Sequence, residues 1–237
     1  MATPPNLQFK SNRLLAALPA NEYQRLLPSL EAISLNIRDG LYEPGEPIEY
    51  VYFPLSGMVS ILVNMGDDTL IEVGVVGNEG MVGLTIFLGA DQTNTKGICQ
   101  VAGEAVRMRS DVFRTELSQN GALVSLLQCY TLAYFALIAQ SSGCNSQHPI
   151  SQRCARWLLL THDRVGKNQF ELTQEFLGQM LGVRRAGVNS VMQALQANGI
   201  ITYSRGIIHI LDREGLERAA CQCYRIITAQ YEQILGC

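Results

Sequence analysis

Four polar side chains near position 190 recur at the spacing of one helical face: Arg185, Asn189, Ser190 and Gln193. The apolar residues among them follow the complementary spacing of a buried stripe: Val188, Val191, Met192 and Leu195. Side chains of the four polar types form the hydrogen bonds that distinguish base edges in the major groove of DNA. The spacing therefore predicts a helix that begins near Arg184, buries one face and presents DNA-reading chemistry on the other.

The residues before this helix have the types that a helix and a sharp turn require. Thr173 is a suitable N-cap, because its hydroxyl can accept from an otherwise unpaired amide of the first turn. Gly178 has no side chain to prevent a second helix from crossing closely. Gly182 suits the turn itself, since glycine tolerates a positive φ. Together they predict a helix-turn-helix.

A β-hairpin is predicted directly after the second helix. Asn198-Gly199 ends the helix, and apolar segments at 200–203 and 207–211 flank a turn that contains Arg205. A helix-turn-helix followed by a hairpin is a winged helix, which is typical of DNA-binding domains. Two alternatives stay open: an αα-hairpin that packs for structural reasons only, and a winged helix that contacts protein.

The charge distribution fits DNA binding although the net charge of the chain is −3. Residues 1–150 hold 8 Lys/Arg against 14 Asp/Glu, a balance of −6, whereas residues 151–213 hold 8 against 4, a balance of +4. A basic segment attracts phosphates, and an acidic remainder repels DNA from the wrong face.

Composition indicates a globular protein with a sizeable core, since 47% of the 237 residues are hydrophobic. We expect no membrane segment, and the N-terminus lacks the basic-then-apolar pattern of a signal peptide. Seven scattered cysteines favour a reducing, cytoplasmic location.

Short apolar segments between turn residues predict six strands in the first half of the chain, at 34–38, 48–53, 57–64, 69–76, 97–101 and 104–109. Their regular spacing is typical of an antiparallel sandwich or roll. A short helix ending near Leu117 and a long helix at 121–142 follow, and a polar hinge at 143–149 leads into the basic segment.

Five residues of the long helix repeat at heptad-like spacing: Leu123, Leu127, Tyr130, Tyr134 and Leu137. Such a seam predicts that two copies of the chain pair along this helix as a homodimer. The alternative is a helix buried against its own domain, because three heptads are the minimum for a coiled-coil assignment.

The order of β-roll, long helix, hinge and winged helix resembles the catabolite-activator and fumarate–nitrate-regulator (Crp/Fnr) family of bacterial transcription factors over nearly the whole chain. The motifs that carry the resemblance are Pro44-Gly45-Glu46, the glycine-rich turn at 77–83, Arg153, Leu172-Thr173-Gln174-Glu175, Leu177-Gly178 and Gly182-Val183. The resemblance implies an α+β fold with a cyclic-nucleotide-binding-like β-roll sensor at 1–118, a dimerisation helix and hinge at 119–145 and a winged helix-turn-helix at 146–237. It also implies a homodimer that presents two recognition helices to successive major grooves of double-stranded DNA.

The resemblance also assigns roles to single residues. Arg185 takes the place of the family's base-reading arginine, with Asn189 and Ser190 one turn further on. Thr173 and Gln174 match the phosphate-facing start of the first helix. The remaining expected DNA contacts are Arg184, Gln193 and Arg205.

Two departures from the family pattern bear on the DNA target. Ala186 stands where the family often has glutamate and cannot accept from a cytosine amine; Arg184 stands where serine or threonine usually caps the helix. We therefore expect a sequence-specific transcription regulator whose target differs from the usual consensus, with RNA polymerase as a further candidate partner. The alternative is a small-molecule-binding module whose winged helix contacts protein.

The sensor half lacks the residues that bind a cyclic nucleotide in this family. Glu79 precedes Gly80 instead of following it, and Lys96 is the only cation between Arg38 and Arg107. Without a bidentate arginine a phosphate loses its strongest hydrogen bonds, so we expect no response to cyclic AMP and an unknown effector. Any pocket is expected to be apolar or filled by its own walls, Val73, Val75, Met81 and Leu84.

We expect no cofactor, no metal site and no enzyme activity. Iron–sulfur members of the family carry an N-terminal cysteine cluster, whereas the first cysteine here is Cys99. Cys221 and Cys223 are expected on different sides of one helix, which is a poor chelate. The histidines are dispersed in the sequence, at His148, His162 and His209. Asp67-Asp68 is interpreted as a solvated turn, and no nucleophile, P-loop or zinc-protease motif occurs.

Overall fold

The computed structural model describes residues 9–66 and 69–236, so the turn predicted at Asp67-Asp68 lies outside the described residues. The described part of the N-terminal half contains the following strands: β1 (Glu31–Leu35), β2 (Gly40–Tyr42), β3 (Tyr50–Pro54), β4 (Met58–Asn64), β5 (Leu70–Val76), β6 (Thr95–Val101) and β7 (Gly103–Arg109). They pair antiparallel in two sheets, in the orders β1-β7-β3 and β2-β6-β4-β5. The predicted antiparallel β-roll is confirmed. Strand β1 begins three residues before the predicted position, at Glu31, and the short strand β2 was not predicted.

Strand β4 is buried on both faces along most of its length, and its alternate residues pack into two different clusters. In β4, Met58 and Leu62 join the main core beneath the helices, whereas Val59 and Ile61 join a smaller cluster with Leu35 of β1. Burial on both faces explains why most of the residues in the sequence of β4 are apolar instead of alternating with polar ones.

Short helices surround the roll: α1 (Arg13–Ala16), α2 (Ala20–Leu26), α3 (Leu84–Phe87) and α4 (Ser110–Leu117). The long helix α5 (Ala122–Gln147) follows, and the Glu22 carboxylate of α2 accepts hydrogen bonds from the amides of Ala122 and Leu123 at 2.8 and 3.2 Å. A negative charge at this end stabilises the helix dipole. The helix continues through most of the predicted hinge, which leaves His148-Pro149 as the connection to the next helix.

The predicted heptad seam of α5 packs inside the chain. Leu123, Leu127, Tyr130 and Leu137 are at most 2% exposed. Tyr130 donates to the carbonyl oxygen of Met81 in the roll at 3.2 Å. Side chains that are buried within one chain cannot form the contact between two chains. The prediction that these residues form the dimer contact is therefore wrong, and their spacing reflects packing against the chain's own roll.

The opposite face of α5 is apolar and open. Leu132 and Phe135, three residues apart, are 59% and 69% exposed. By length and composition alone α5 would suffice to cross a membrane, but its buried face identifies it as a core helix of this fold.

The C-terminal half contains the winged helix and two helices after it: α6 (Ile150–Val165), β8 (Gln169–Glu171), α7 (Gln174–Leu181), α8 (Arg185–Ala197), β9 (Ile201–Ser204), β10 (Ile207–Ile210), α9 (Arg213–Ala219) and α10 (Cys223–Leu235). The hairpin β9-β10 gains a third strand, because β8 pairs with β10. α10 packs along α5, so the end of the chain returns to the long helix.

Two buried polar contacts fasten α6 to the β-roll. Arg164 and Glu79, each 7% exposed at the side chain, form an ion pair at 2.8 Å. The Trp157 indole donates to the Glu72 carboxylate at 2.8 Å, and the Ser60 hydroxyl donates to its other oxygen at 2.7 Å. The winged helix is therefore held against strand β5 and the turn that follows it.

Candidate nucleic-acid interface and effector cavity

The helix-turn-helix is built from the cap and glycines that the sequence singles out. The Thr173 hydroxyl accepts from the Phe176 amide at 3.2 Å and caps α7. A Cβ on Gly178 would lie 2.9 Å from the Val183 carbonyl oxygen, so only glycine allows this approach of α7 to the turn. Gly182 has φ of 63°, in the left-handed region. These local predictions are confirmed.

The helix α8 divides into a buried face and a polar face as predicted. Its buried residues are Val188, Val191, Met192 and Leu195. Its exposed polar residues are Arg185, Asn189, Ser190 and Gln193, preceded by exposed Arg184. The Gln174 side-chain amide donates to Asn189 Oδ1 at 3.2 Å, which brings the start of α7 onto the same surface.

The wing places a third arginine beside the start of α7. Arg205 is exposed at the tip of the β9-β10 turn with φ of 51°, and the Gly206 carbonyl accepts from the Leu172 amide at 2.7 Å. Thr173 and Arg205 line one open groove of about 470 Å³. Within the described part of the chain Arg184, Arg185 and Arg205 have no ion-pair partner, so their charges are available to a polyanion.

A cavity of about 250 Å³ lies between the roll and α5. Its lining consists of the following residues, none of them charged: Tyr42, Ile61, Val73, Val76, Met81, Val82, Gly83, Leu84, Thr85, Leu88, Thr93, Thr95, Thr131, Tyr134, Phe135 and Ile138. Val73, Met81 and Leu84 line it as predicted. Val75 instead belongs to the main core. Residues two apart share a face of a regular strand, but the register of β5 against β4 shifts between Glu72 and Gly74, and this bulge at Val73 interrupts the alternation.

The charged residues considered for a cyclic nucleotide are held elsewhere. Lys96 pairs with Glu43 at 2.7 Å, and Glu79 pairs with Arg164. The Tyr134 hydroxyl is buried and has no hydrogen-bond partner among the described residues. The cavity can therefore receive an apolar or aromatic molecule with a few hydroxyl or carbonyl groups.

Glu72 lies between this cavity and the winged helix. Its strand neighbour Val73 lines the cavity, while its own carboxylate binds Trp157 of α6. Burial raises the pKa of Glu72 to about 7, against the opposing effect of hydrogen bonds from Ser60 and Trp157. Glu72 therefore connects strand β5, which forms one wall of the cavity, to α6 of the winged helix.

One cluster was missed by sequence reasoning. Cys144 near the end of α5, His148 after it, and Cys221 and Cys223 place their ligand atoms within 4.8 Å of one another. The expectation that Cys221 and Cys223 lie on different sides of one helix is wrong, because α10 begins only at Cys223 and Cys221 precedes it. The histidines look dispersed in the sequence, but His148 joins the thiols, because it lies 73 positions from Cys221 and the two meet only in the fold.

Each half of the chain matches a known protein family. Residues 152–219 match the family described as Crp-like helix-turn-helix domain, and residues 34–120 match the cyclic nucleotide-binding domain. The CRP-like protein Clp of Xanthomonas euvesicatoria is 22% identical over 204 residues, covering 80% of this chain and 87% of that protein. Clp of Xanthomonas campestris is 23% identical over 203 residues, with the same coverage.

Solved structures show the same fold. FixK2 from Bradyrhizobium japonicum superposes with a TM-score of 0.69 at 16% identity, covering 81% of this chain and 98% of that one. The c-di-GMP responsive global regulator CLP of Xanthomonas campestris superposes with a TM-score of 0.61 at 20% identity, covering 81% and 99%. With a nucleotide-binding-type roll, a long helix and a Crp-like helix-turn-helix in one chain, the protein belongs to the Crp/Fnr family of DNA-binding transcriptional regulators.

Proposed function

We propose that the protein is a homodimeric regulator that reads a specific DNA sequence with α8 and responds to an apolar effector in the roll. The observation that supports this most directly is the exposed polar face of α8 above a fully packed stripe. Such a regulator works where the chromosome lies, which places it in the cytoplasm, and RNA polymerase is a candidate second partner.

In this proposal Arg185 reads a base, and Arg184 and Arg205 contact the phosphate backbone of the DNA. A guanidinium forms two hydrogen bonds to one guanine, which is worth about 1–3 kcal/mol of discrimination. Asn189, Ser190 and Gln193 lie further along the same face and read neighbouring bases. The phosphate contacts are Arg184, Arg205, Thr173 and Gln174, which position the protein without reading sequence. Because Ala186 cannot accept a hydrogen bond, the target differs at one base from that of family members with glutamate there.

We assign the dimer contact to the open face of α5. Leu132 and Phe135 are large, apolar and adjacent, and burying each against a second copy contributes about 1.5–3 kcal/mol. A two-fold axis along α5 would present two copies of α8 to half-sites about 34 Å apart.

The effector is proposed to be apolar rather than a cyclic nucleotide. The cavity lining carries no charge to neutralise a phosphate, and a buried phosphate without such a partner loses its strongest hydrogen bonds. Phe135 borders the cavity and lies on the proposed dimer face, so occupancy and dimer packing would depend on the same side chain.

Two experiments test this proposal. Sequencing of genomic fragments retained by the purified protein should yield one two-fold symmetric site; recovery of fragments without a common sequence would contradict specific DNA reading.

Calorimetric titration with cyclic AMP should show no binding at micromolar nucleotide, and nucleotide binding that raises the affinity for DNA would contradict the apolar effector.

A further inference from the structure

Three thiols and one imidazole from distant parts of the chain meet beside the connection between α5 and α6. Cys144, Cys221 and Cys223 are buried, and His148 is half-buried. The three cysteines pack on one another as a cluster separate from the main hydrophobic core.

The distances suit one tetrahedral metal ion. Cys144 Sγ lies 3.4 Å from Cys221 Sγ, and Cys223 Sγ lies 3.6 Å from His148 Nδ1. Around an ion with metal–sulfur bonds of about 2.3 Å and metal–nitrogen bonds of about 2.0–2.1 Å, tetrahedral edges measure about 3.8 Å and about 3.5 Å. Both separations lie within about 0.4 Å of these edges, and all four ligand atoms lie within 4.8 Å of one another, so small side-chain adjustments would bring them onto one ion.

We propose that Cys144, His148, Cys221 and Cys223 bind a single zinc ion in a closed structural site. Three thiolates and one imidazole form a set that zinc prefers, and four protein ligands leave no position open for catalysis. A disulfide between Cys144 and Cys221 would use only two of the four groups.

The surroundings of the cluster support this assignment. The Gln140 side-chain amide lies 3.1 Å from Cys223 Sγ and donates toward it, as outer residues do to metal-bound thiolates. Three thiolates around Zn²⁺ leave one net negative charge, and the buried Arg156 guanidinium lies nearby, donating to the Ser141 hydroxyl one turn before Cys144 at 3.1 Å. Binding as thiolates releases the thiol protons.

The ion would join two elements that lie far apart in the sequence and pack against each other in the fold. Cys144 and His148 lie at the end of α5, whereas Cys221 and Cys223 lie at the start of α10, behind the wing. A metal bridge across them would fix the direction in which the chain leaves α5 for the winged helix. Zinc binding itself does not depend on whether the protein binds DNA.

The test is a metal titration of the full chain, purified reduced and stripped of metal with a chelator. We expect one Zn²⁺ per chain against a colorimetric competitor, and with Co²⁺ the intense visible bands of tetrahedral thiolate coordination. Cys221→Ser, Cys223→Ser and His148→Gln should each weaken binding by more than about tenfold. The matched control is Cys129→Ser, a half-buried cysteine elsewhere on α5, which should bind as the unmodified protein does.

Far-UV circular dichroism identifies any cysteine variant that does not fold, and His148→Gln, at a half-buried position, then decides the outcome. Absence of stoichiometric zinc binding by the reduced protein would overturn the proposal. Affinity of His148→Gln equal to that of Cys129→Ser would overturn it too, as would a Cys144–Cys221 disulfide that persists under the reducing conditions of the titration.

Discussion

The carboxylate of Glu72 should make the stability of the protein fall as the pH rises from 5 to 8. It lies between Ser60 of β4 and Trp157 of α6, and burial raises its pKa from 4.5 to about 7. The folded state therefore holds the proton more tightly than the unfolded state. The stabilising contribution is complete below pH 4.5 and is lost as the pH passes through 7.

The size of this effect follows from the two pKa values. At about 1.36 kcal/mol per pKa unit, the free energy of unfolding should fall by about 2.5 kcal/mol between pH 5 and pH 8. Glu72→Gln removes the titration and keeps an acceptor for the indole and a donor for the Ser60 hydroxyl. The variant should therefore be more stable than the unmodified protein at pH 8.

Urea unfolding provides the assay, because Trp157 is the only tryptophan and its indole binds this carboxylate. The quantity to compare is the stability difference between Glu72→Gln and the unmodified protein at pH 5, 6, 7 and 8. Glu104→Gln, at an exposed position of β7, is the control and should titrate as the unmodified protein does. A stability difference for Glu72→Gln that does not change with pH would show that Glu72 does not titrate between pH 5 and pH 8.

Three further predictions concern the interdomain contact, the dimer and the wing. Arg164→Met should cost about 3–5 kcal/mol in urea unfolding, because it leaves Glu79 buried without a counter-charge, and adding Glu79→Gln should recover part of the loss; equal stability of single and double variants would contradict this. Phe135→Glu should sediment as a folded monomer, whereas Leu127→Glu should unfold, because Leu127 is fully buried. A folded monomer for Leu127→Glu together with a dimer for Phe135→Glu would reverse our assignment of the two faces of α5. Arg205→Ala should weaken binding to every DNA sequence alike and lower the salt dependence by roughly one phosphate contact in fluorescence anisotropy, and an unchanged salt slope would exclude the wing from the interface.

Local chemistry explains why the helix-turn-helix could be predicted from the sequence. The Thr173 cap, the turn at Gly182 and the apolar stripe of α8 depend on residues within one or two helical turns, so their residue types determine the structure. The β-roll was predictable for the same reason, from short apolar runs between turns. β2 has only three residues and was not recognised.

Contacts between distant residues explain what the sequence could not show. α5 has no charged residue, so its heptad spacing fitted a partner chain and its own roll equally well, and only the buried Leu127 and Tyr130 distinguish the two. Glu79 and Arg164 are 85 positions apart, and each looks like an ordinary surface residue in the sequence. Cys144 and Cys221 are 77 positions apart, and their meeting depends on where α10 begins.

Equilibrium DNA binding by Arg185→Ala tests whether α8 reads DNA through Arg185. Anisotropy titrations use the site selected from genomic fragments and matched duplexes with one base pair changed in each half-site. We expect Arg185→Ala to lose about 1–3 kcal/mol of binding free energy on the selected site and to discriminate less at one base position, with discrimination elsewhere unchanged. An equal loss of affinity for every duplex, with discrimination intact at all positions, would contradict it.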